Sequence, residues 1–238
     1  RANRAVLRPD IRLVLRPGMT ALCESARAYS RSREDYDLGL VKYEAALLVE
    51  KLQNETASTI IISSEDLSGH MPGRHRLHGY GAAPHLMGAM VMAFKTAAPD
   101  DAITFFFTTR TREAWLRSCY VQHLRAARMI WDEADYMKRM KTSADFAAII
   151  DQIKREVPEC EVLTTSLEEH TARPLGIAEA LLDLLALDEK RRAAMVPSAL
   201  RTSALPADIQ AQLLALNRSD LDTAELKKAK RALIEGAT

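Results

Sequence analysis

The sequence predicts an α/β fold in which a doubly wound, mainly parallel sheet is flanked by helices and followed by a helical C-terminal tail. Four short runs rich in β-branched and aromatic residues predict its strands: Ile11–Leu15, Ile60–Ser63, Ile103–Phe107 and Val162–Thr164. The second and third runs consist almost entirely of β-branched and aromatic residues, which is typical of strands covered on both faces. Segments with helical periodicity separate the runs, and such strand–helix alternation favours a parallel sheet.

The chain is long enough to bury the core of this fold. Its 238 residues, 47% of them hydrophobic, suit one large α/β domain or two small ones. We expect an α/β domain over residues 1–196, and over 197–238 a C-terminal helical arm packed on the same domain. Residues 1–7 resemble the end of a helix, so the first domain is expected to be truncated at its N-terminus.

Composition excludes several classes of function. The formal net charge is +1, which argues against a nucleic-acid coat or a membrane-surface binder, because both carry a large basic excess. Three widely spaced cysteines disfavour a disulfide framework or a zinc site. No apolar run reaches the roughly 18 residues of a membrane span. We therefore expect a cytoplasmic protein with no membrane span, no nucleic-acid partner and no metal, and the oligomeric state stays open.

Helical periodicity and turn residues place the remaining elements. Two segments are predicted to be irregular, an exposed Ser/Arg-rich loop over Tyr29–Asp37 and a Gly/His/Arg-rich loop over Gly69–Gly81. The first strong helix signal after the third strand begins at Thr111 and continues to Tyr136. The other predicted helices are Met19–Ala28, Leu38–Asn54, Ala83–Ala97, Ser143–Glu156, Ile177–Leu187, Asp208–Leu216 and Thr223–Ile234.

The stretch Asp101–Tyr120 carries the strongest indication of chemistry. The strand Ile103–Phe107 leads within a few residues to Arg110, and Thr111 is positioned to cap the helix that follows. Arg110 is thus expected at the carboxyl end of a parallel strand, the edge where open α/β sheets hold ligands. Ser118 lies on a polar strip of the helix. The alternative is an arginine that ends a strand and a serine on a solvated helix face.

Arg110 followed eight residues later by Ser118, with Tyr120 two residues beyond, resembles the 3′-phosphate-binding motif of sulfotransferases. These enzymes use 3′-phosphoadenosine 5′-phosphosulfate (PAPS) and have a P-loop-like α/β fold. The resemblance implies that Arg110 and Ser118 bind the 3′-phosphate of PAPS, and a guanidinium and a hydroxyl suit that task. It also implies that Arg201 lies where related enzymes close a basic segment over the nucleotide.

Glu65 follows the second strand and is expected on the same sheet edge as Arg110. Bacterial sulfotransferase-like proteins often have a strand that ends in Ser-Ser-Glu, as residues 63–65 do. The resemblance implies that Glu65 is the catalytic base, which deprotonates a hydroxyl of a carbohydrate or small-molecule acceptor. Partial burial would suit a carboxylate to that role. The alternative is that Glu65 caps the following turn or pairs with a basic neighbour.

The loop Gly69–Gly81 contains three histidines and two arginines. We expect a mobile loop over the active edge in which Arg74 and Arg76 could hold an anionic acceptor or the transferring sulfonate. His75 and His78 could ligate a metal, although no cysteine or carboxylate is close in the sequence. Ordinary solvated charge is the remaining interpretation.

Two functions of different class follow from these patterns. The first is a PAPS-dependent sulfotransferase whose family loop of the Lys-x-Gly-Thr-Thr type, which holds the 5′-phosphosulfate, would precede Arg1. The second is a non-catalytic, P-loop-like scaffold that binds a nucleotide or a protein partner. A kinase of similar topology is disfavoured, because no aspartate-based magnesium site is evident beside a strand end.

Overall fold

A computed structural model describes residues 3–7, 9–197 and 205–236, and it confirms the α/β class. The chain forms two compact units, the first within Arg1–Thr109 and Asp145–Ser198 and the second within Arg110–Ala144 and Ala199–Thr238. The sequence predicted a division near residue 196, whereas the C-terminal helices share their unit with residues 110–144. Across the described ranges, no helix has both the length and the apolar character that a membrane crossing requires.

All four predicted strands are present in the first unit. They are β1 (Ile11–Leu15), β2 (Thr59–Ser63), β3 (Thr104–Thr109) and β4 (Glu161–Ser166). They pair in parallel as two separate sheets, β1 with β2 and β3 with β4. The single sheet predicted from the sequence is therefore not what the described residues form. An apolar run indicates that a strand is covered by other parts of the protein. It does not specify which neighbouring strand the run pairs with.

One layer of helices covers one face of each sheet. Its members are α2 (Thr20–Ser32), α3 (Asp35–Leu52), α4 (Ala83–Ala97) and α7 (Phe146–Glu156). The predicted bounds of α4 are confirmed, and its apolar positions are buried because Leu86, Met87 and Met90 face the core. Ile62 of β2 and Phe105 of β3 pack against the same apolar cluster. Both parallel sheets therefore share one hydrophobic core.

The opposite face of the β1–β2 sheet is covered by short helices from both ends of the first unit. These are α1 (Arg4–Leu7), α8 (Ala178–Leu184) and α9 (Glu189–Ala193). Ile11 packs in a second apolar cluster with Leu182 and Leu187. Arg191 fixes this layer, since its guanidinium donates to both Asp10 carboxylate oxygens at 2.8 Å and to the carbonyl oxygen of Leu7 at 2.7 Å.

The predicted loop over Tyr29–Asp37 is wrong. Helix α2 continues to Ser32 and α3 begins at Asp35, so that only Arg33 and Glu34 connect them. Tyr29 continues the buried stripe of α2, and its burial favours the helix over an exposed loop. Arg33 ends the helix in the left-handed conformation, with φ of 61°, which is a usual way to terminate a helix.

The second unit is entirely helical within its described residues. It contains α5 (Arg112–Ala126), α6 (Glu133–Arg139), the 3-10 turn η3 (Lys141–Ala144), α10 (Ala207–Arg218) and α11 (Thr223–Glu235). The continuous helix predicted as far as Tyr136 is interrupted, because Asp132 starts α6 by accepting a hydrogen bond from the Asp135 amide at 2.9 Å. A side chain that caps a new helix in this way makes a break favourable.

The C-terminal helices contact α5, whereas the sequence predicted an arm against the sheet. Asn217 on α10 donates to the Leu124 carbonyl at 3.1 Å. The buried Lys230 on α11 donates to the carbonyls of Leu124 and Ala127, both at 2.7 Å. These bonds satisfy carbonyls at the last turn of α5 that have no partner within the helix.

We expect Lys230 to make the stability of the protein depend on pH. Burial lowers the pKa of Lys230 from 10.5 to about 8. Between these values the unfolded chain holds the proton more tightly than the folded protein, so the free energy of unfolding should rise as the pH increases from about 8 to 10.5. We expect a contribution on the order of 2–3 kcal/mol.

Chemical denaturation across this pH range measures the effect, with Lys230→Met as the matched variant. The methionine cannot titrate, so the difference in unfolding free energy between the two proteins should change with pH. A constant difference across the range would show that burial does not disfavour the charged form of Lys230.

Candidate functional site

The carboxyl edge of the β1–β2 sheet is held by a network of ion pairs. Arg16 follows β1 and Asp66 follows β2, and the Arg16 Nε lies 2.5 Å from an Asp66 carboxylate oxygen. Arg16 also contacts Glu24 at 2.6 Å, and Arg27 lies 3.8 Å from Asp66. The Asp66 hydrogen bond raises the pKa of Arg16. This network fixes the turn after β2 against α2.

Glu65 lies beside this network and takes no part in it. Its side chain is exposed, and within the described residues it has neither an ion pair nor a hydrogen bond. The turn that follows β2 is capped by Ser64, whose hydroxyl accepts from the Asp66 amide at 3.2 Å. The alternative roles foreseen for Glu65, capping the turn and pairing with a base, are thus filled by Ser64 and Asp66. The carboxylate is also more open to solvent than the partial burial foreseen for a base.

Arg110 directly follows the carboxyl end of β3, as the sequence predicted. Its guanidinium is exposed and has no carboxylate partner in the described part of the chain. Ser118 is exposed on α5 in the polar strip with Gln122 and Arg125, as predicted. Thr111 occupies the N-cap position of α5, but its side chain accepts no hydrogen bond from the first turn. The arginine and the serine are both accessible to a ligand.

The structure does not give Glu65 and Arg110 a common sheet edge. Glu65 follows β2 of one sheet and belongs to the first unit, whereas Arg110 follows β3 of the other sheet and belongs to the second. The prediction of one edge assumed one sheet, and the two separate sheets of the described residues do not confirm it. Arg201, the third predicted nucleotide-binding residue, lies outside the residues that the structure describes.

The loop Gly69–Gly81 is irregular, as predicted, but its first part is packed. Gly69 has φ of 89°, and a Cβ there would lie 2.6 Å from the Ser30 Cβ, so a glycine is required for this close approach. The next residue, His70, is 7% exposed, and its amide donates to the Ser30 hydroxyl at 3.0 Å. The loop is therefore anchored on α2 at its beginning.

An open cavity of about 370 Å³ lies beside this loop in the first unit. Its polar lining includes Arg33, His70, Arg76 and His78, and α7 contributes Ile149 to the apolar part. Arg74, which was predicted with Arg76 to hold an anion, does not line it.

Arg33 and His70 both line the cavity, and neither was predicted from the sequence as a site residue. Arg33 was assigned to a solvated loop, although Leu22, Ala26 and Tyr29 continue the apolar spacing of α2 up to its last turn. That spacing is the signal that could have placed Arg33 at a helix end. His70 gives no such signal, because its burial depends on the contact of Gly69 with α2.

A metal site at His75 and His78 would need a third ligand, and the described residues offer none. Within the described ranges, no group of three histidine, cysteine, aspartate or glutamate side chains is placed to hold a metal ion. The His75 ring instead lies against the His70 ring, with centroids 4.6 Å apart.

The likeness to sulfotransferases depends on two short stretches, Ser63–Glu65 and Arg110–Tyr120. Ser63 is the last residue of β2 and Glu65 lies just beyond it, whereas Arg110–Tyr120 runs from the end of β3 into α5. Function must be inferred from these positions, because no protein-family model, curated protein or solved structure matches the chain.

Proposed function

We propose that the protein is a PAPS-dependent sulfotransferase that transfers a sulfonate group to a hydroxyl of a carbohydrate or small molecule. The observation that carries the proposal is the position of Arg110. It follows the carboxyl end of parallel strand β3, it is exposed, and it precedes a helix with Ser118 on its exposed face. A strand end with an accessible arginine suits the binding of a phosphate group.

Each residue has a distinct role in the proposed reaction. Arg110 and Ser118 hold the 3′-phosphate by charge-assisted hydrogen bonds. Glu65 accepts the proton of the acceptor hydroxyl as the acceptor oxygen forms its bond to sulfur. The bond between sulfur and the bridging phosphate oxygen breaks, and adenosine 3′,5′-bisphosphate leaves. Arg201 is proposed to contact the same nucleotide. The family's phosphosulfate loop is not among these 238 residues.

The proposal includes a doubly wound, P-loop-like fold. Three features support it: both sheets are parallel, they share one apolar core, and helices cover both faces of the first sheet. A cytoplasmic location is part of the proposal, and the few, widely spaced cysteines favour it.

The exposure of Glu65 favours a second candidate function. Its carboxylate lies in open solvent, whereas catalytic carboxylates are usually enclosed in a cleft. Arg110 and Ser118 could still bind a nucleotide in that case. The second candidate is therefore a non-catalytic nucleotide-binding or interaction scaffold of P-loop-like fold.

Two measurements on the natural protein separate these functions. The first is calorimetric titration with adenosine 3′,5′-bisphosphate, with adenosine 5′-monophosphate as the control that lacks the 3′-phosphate. The second is transfer of labelled sulfonate from PAPS to a panel of carbohydrate and small hydroxyl acceptors. A sulfotransferase prefers the bisphosphate and forms sulfated product. Preference without product supports the scaffold, and the absence of any preference contradicts both.

A further inference from the structure

The open cavity beside the Gly69–Gly81 loop has a positively charged lining without carboxylates. Arg33 at the end of α2 and Arg76 in the loop both contribute to it, and neither has an acidic partner among the described residues. The Arg33 guanidinium lies 5.5 Å from the centroid of the Tyr29 ring. Arg27, one turn and a half earlier on α2, shows the contrast, because it contacts Glu24 and Asp66. Two uncompensated guanidinium groups on one cavity attract anions.

The backbone around the cavity is held in an uncommon conformation. His75 and Arg76 have φ of 51° and 63°, and Arg33 has φ of 61°. Left-handed conformations are uncommon for residues other than glycine and persist where the surrounding structure fixes them. Here a hydrogen bond of 2.7 Å from the Gly73 amide to the Leu77 carbonyl closes the loop around these residues. The position of Arg76 on the cavity is therefore determined by the loop's own structure.

His70 adds a neutral donor to the lining. Its Nδ1 lies 3.4 Å from the Arg27 Nε, and since arginine only donates, the proton of the neutral ring is on Nε2. Burial, with the charges of Arg27 and His75 nearby, lowers the pKa of His70 to about 4. The His70 imidazole is thus uncharged at neutral pH, and the two cavity arginines carry the charge that would hold an anion.

The remaining lining favours a ligand with an apolar body. Leu77, Ala82 and Ile149 present apolar groups, and Tyr80 presents an aromatic ring. The volume of about 370 Å³ is at the lower end of the range of small-molecule pockets, about 300–1,000 Å³. A compact molecule with one anionic group fits both the charge and the size.

We propose that this cavity binds a small organic oxyanion, with its carboxylate, sulfate or phosphate group held by Arg33 and Arg76 and its apolar body against Tyr80 and Ile149. The proposal concerns a site of the first unit only and requires no nucleotide. It therefore stands apart from the sulfotransferase function, and either one can fail while the other holds.

Calorimetric titration of the natural protein tests the ligand class. Phenyl phosphate and benzoate carry different oxyanions on the same kind of ring, inorganic phosphate lacks the ring, and benzamide lacks the charge. We expect at least one of the two aryl anions to bind at millimolar concentration or below, and the tighter one identifies the oxyanion. Inorganic phosphate should bind more weakly, and benzamide should not bind. Failure of both aryl anions, or equal affinity for benzamide or for inorganic phosphate, would overturn the proposal.

Variants test the placement of the site. Arg76→Gln and Arg33→Gln should each weaken binding of the tighter aryl anion by about 10- to 100-fold, as expected for loss of a charge-assisted hydrogen bond. Arg74→Gln is the matched control, because it removes an arginine of the same loop that does not line the cavity. It should change the affinity by less than about threefold.

Melting curves establish that each variant is folded. Arg33 ends a helix, so if Arg33→Gln is unstable the comparison of Arg76→Gln with Arg74→Gln decides alone. Equal effects of those two loop variants would show a general attraction by basic residues and would contradict a defined site.

Discussion

Replacing Glu65 with glutamine should reduce sulfonate transfer by about 10²- to 10⁴-fold while nucleotide binding stays nearly intact. Glutamine keeps the shape of the side chain but cannot accept the proton of the acceptor hydroxyl. The carboxylate has no partner in the described part of the chain, so its loss should leave the fold unchanged. Initial rates of sulfated-product formation from PAPS, with affinity for adenosine 3′,5′-bisphosphate measured in parallel, give the two quantities.

Asp66→Asn is the matched control for this substitution. It changes the adjacent carboxylate, which contacts Arg16 at 2.5 Å and Arg27 at 3.8 Å. We expect this variant to lower the melting temperature, because it removes one charge of a network that joins β2 to α2. If Glu65→Gln instead turns over as fast as the natural protein, Glu65 has no part in the mechanism and the scaffold function is favoured.

The positions of the strands were predictable because each strand is a short apolar run between turn residues. All four predicted runs overlap the observed strands, with ends that differ by at most two residues. Which strands pair with each other was not predictable in the same way. Ile60–Ile62 and Phe105–Phe107 are similar apolar runs, and side-chain character does not specify whether two such runs are neighbours. The single sheet predicted from the sequence is therefore not confirmed by the described residues.

The two candidate sites differ in how far the sequence reveals them. Glu65 and Arg110 are evident because each lies within two residues of the end of a strand, and strand ends are local features of the sequence. The cavity depends on Arg33, which a helix end positions, and on His70, which is buried by the approach of Gly69 to Ser30. Arg33 and His70 are far apart in the sequence. Only the tertiary fold brings these two residues to one cavity.

The most direct test of the proposed nucleotide site is Arg110→Ala. The substitution should weaken binding of adenosine 3′,5′-bisphosphate by about 2–4 kcal/mol, which corresponds to roughly 30- to 1,000-fold in affinity. The reason is that a bound 3′-phosphate loses its planar donor while remaining partly desolvated. Calorimetry measures the affinity, and the melting temperature of the free protein should change little because Arg110 is exposed and makes no ion pair within the described residues.

Arg112→Ala provides the control for net charge. Arg112 is also exposed and lies two residues beyond Arg110, at the first position of α5, so its removal changes the local charge equally. A specific phosphate contact requires a large loss for Arg110→Ala and a small one for Arg112→Ala, of about 0–1 kcal/mol. Similar losses for both would mean that the nucleotide responds only to the general field of the helix end. Unchanged affinity in Arg110→Ala would make the arginine a solvated residue at the end of β3, and the likeness to the 3′-phosphate motif would then carry no function.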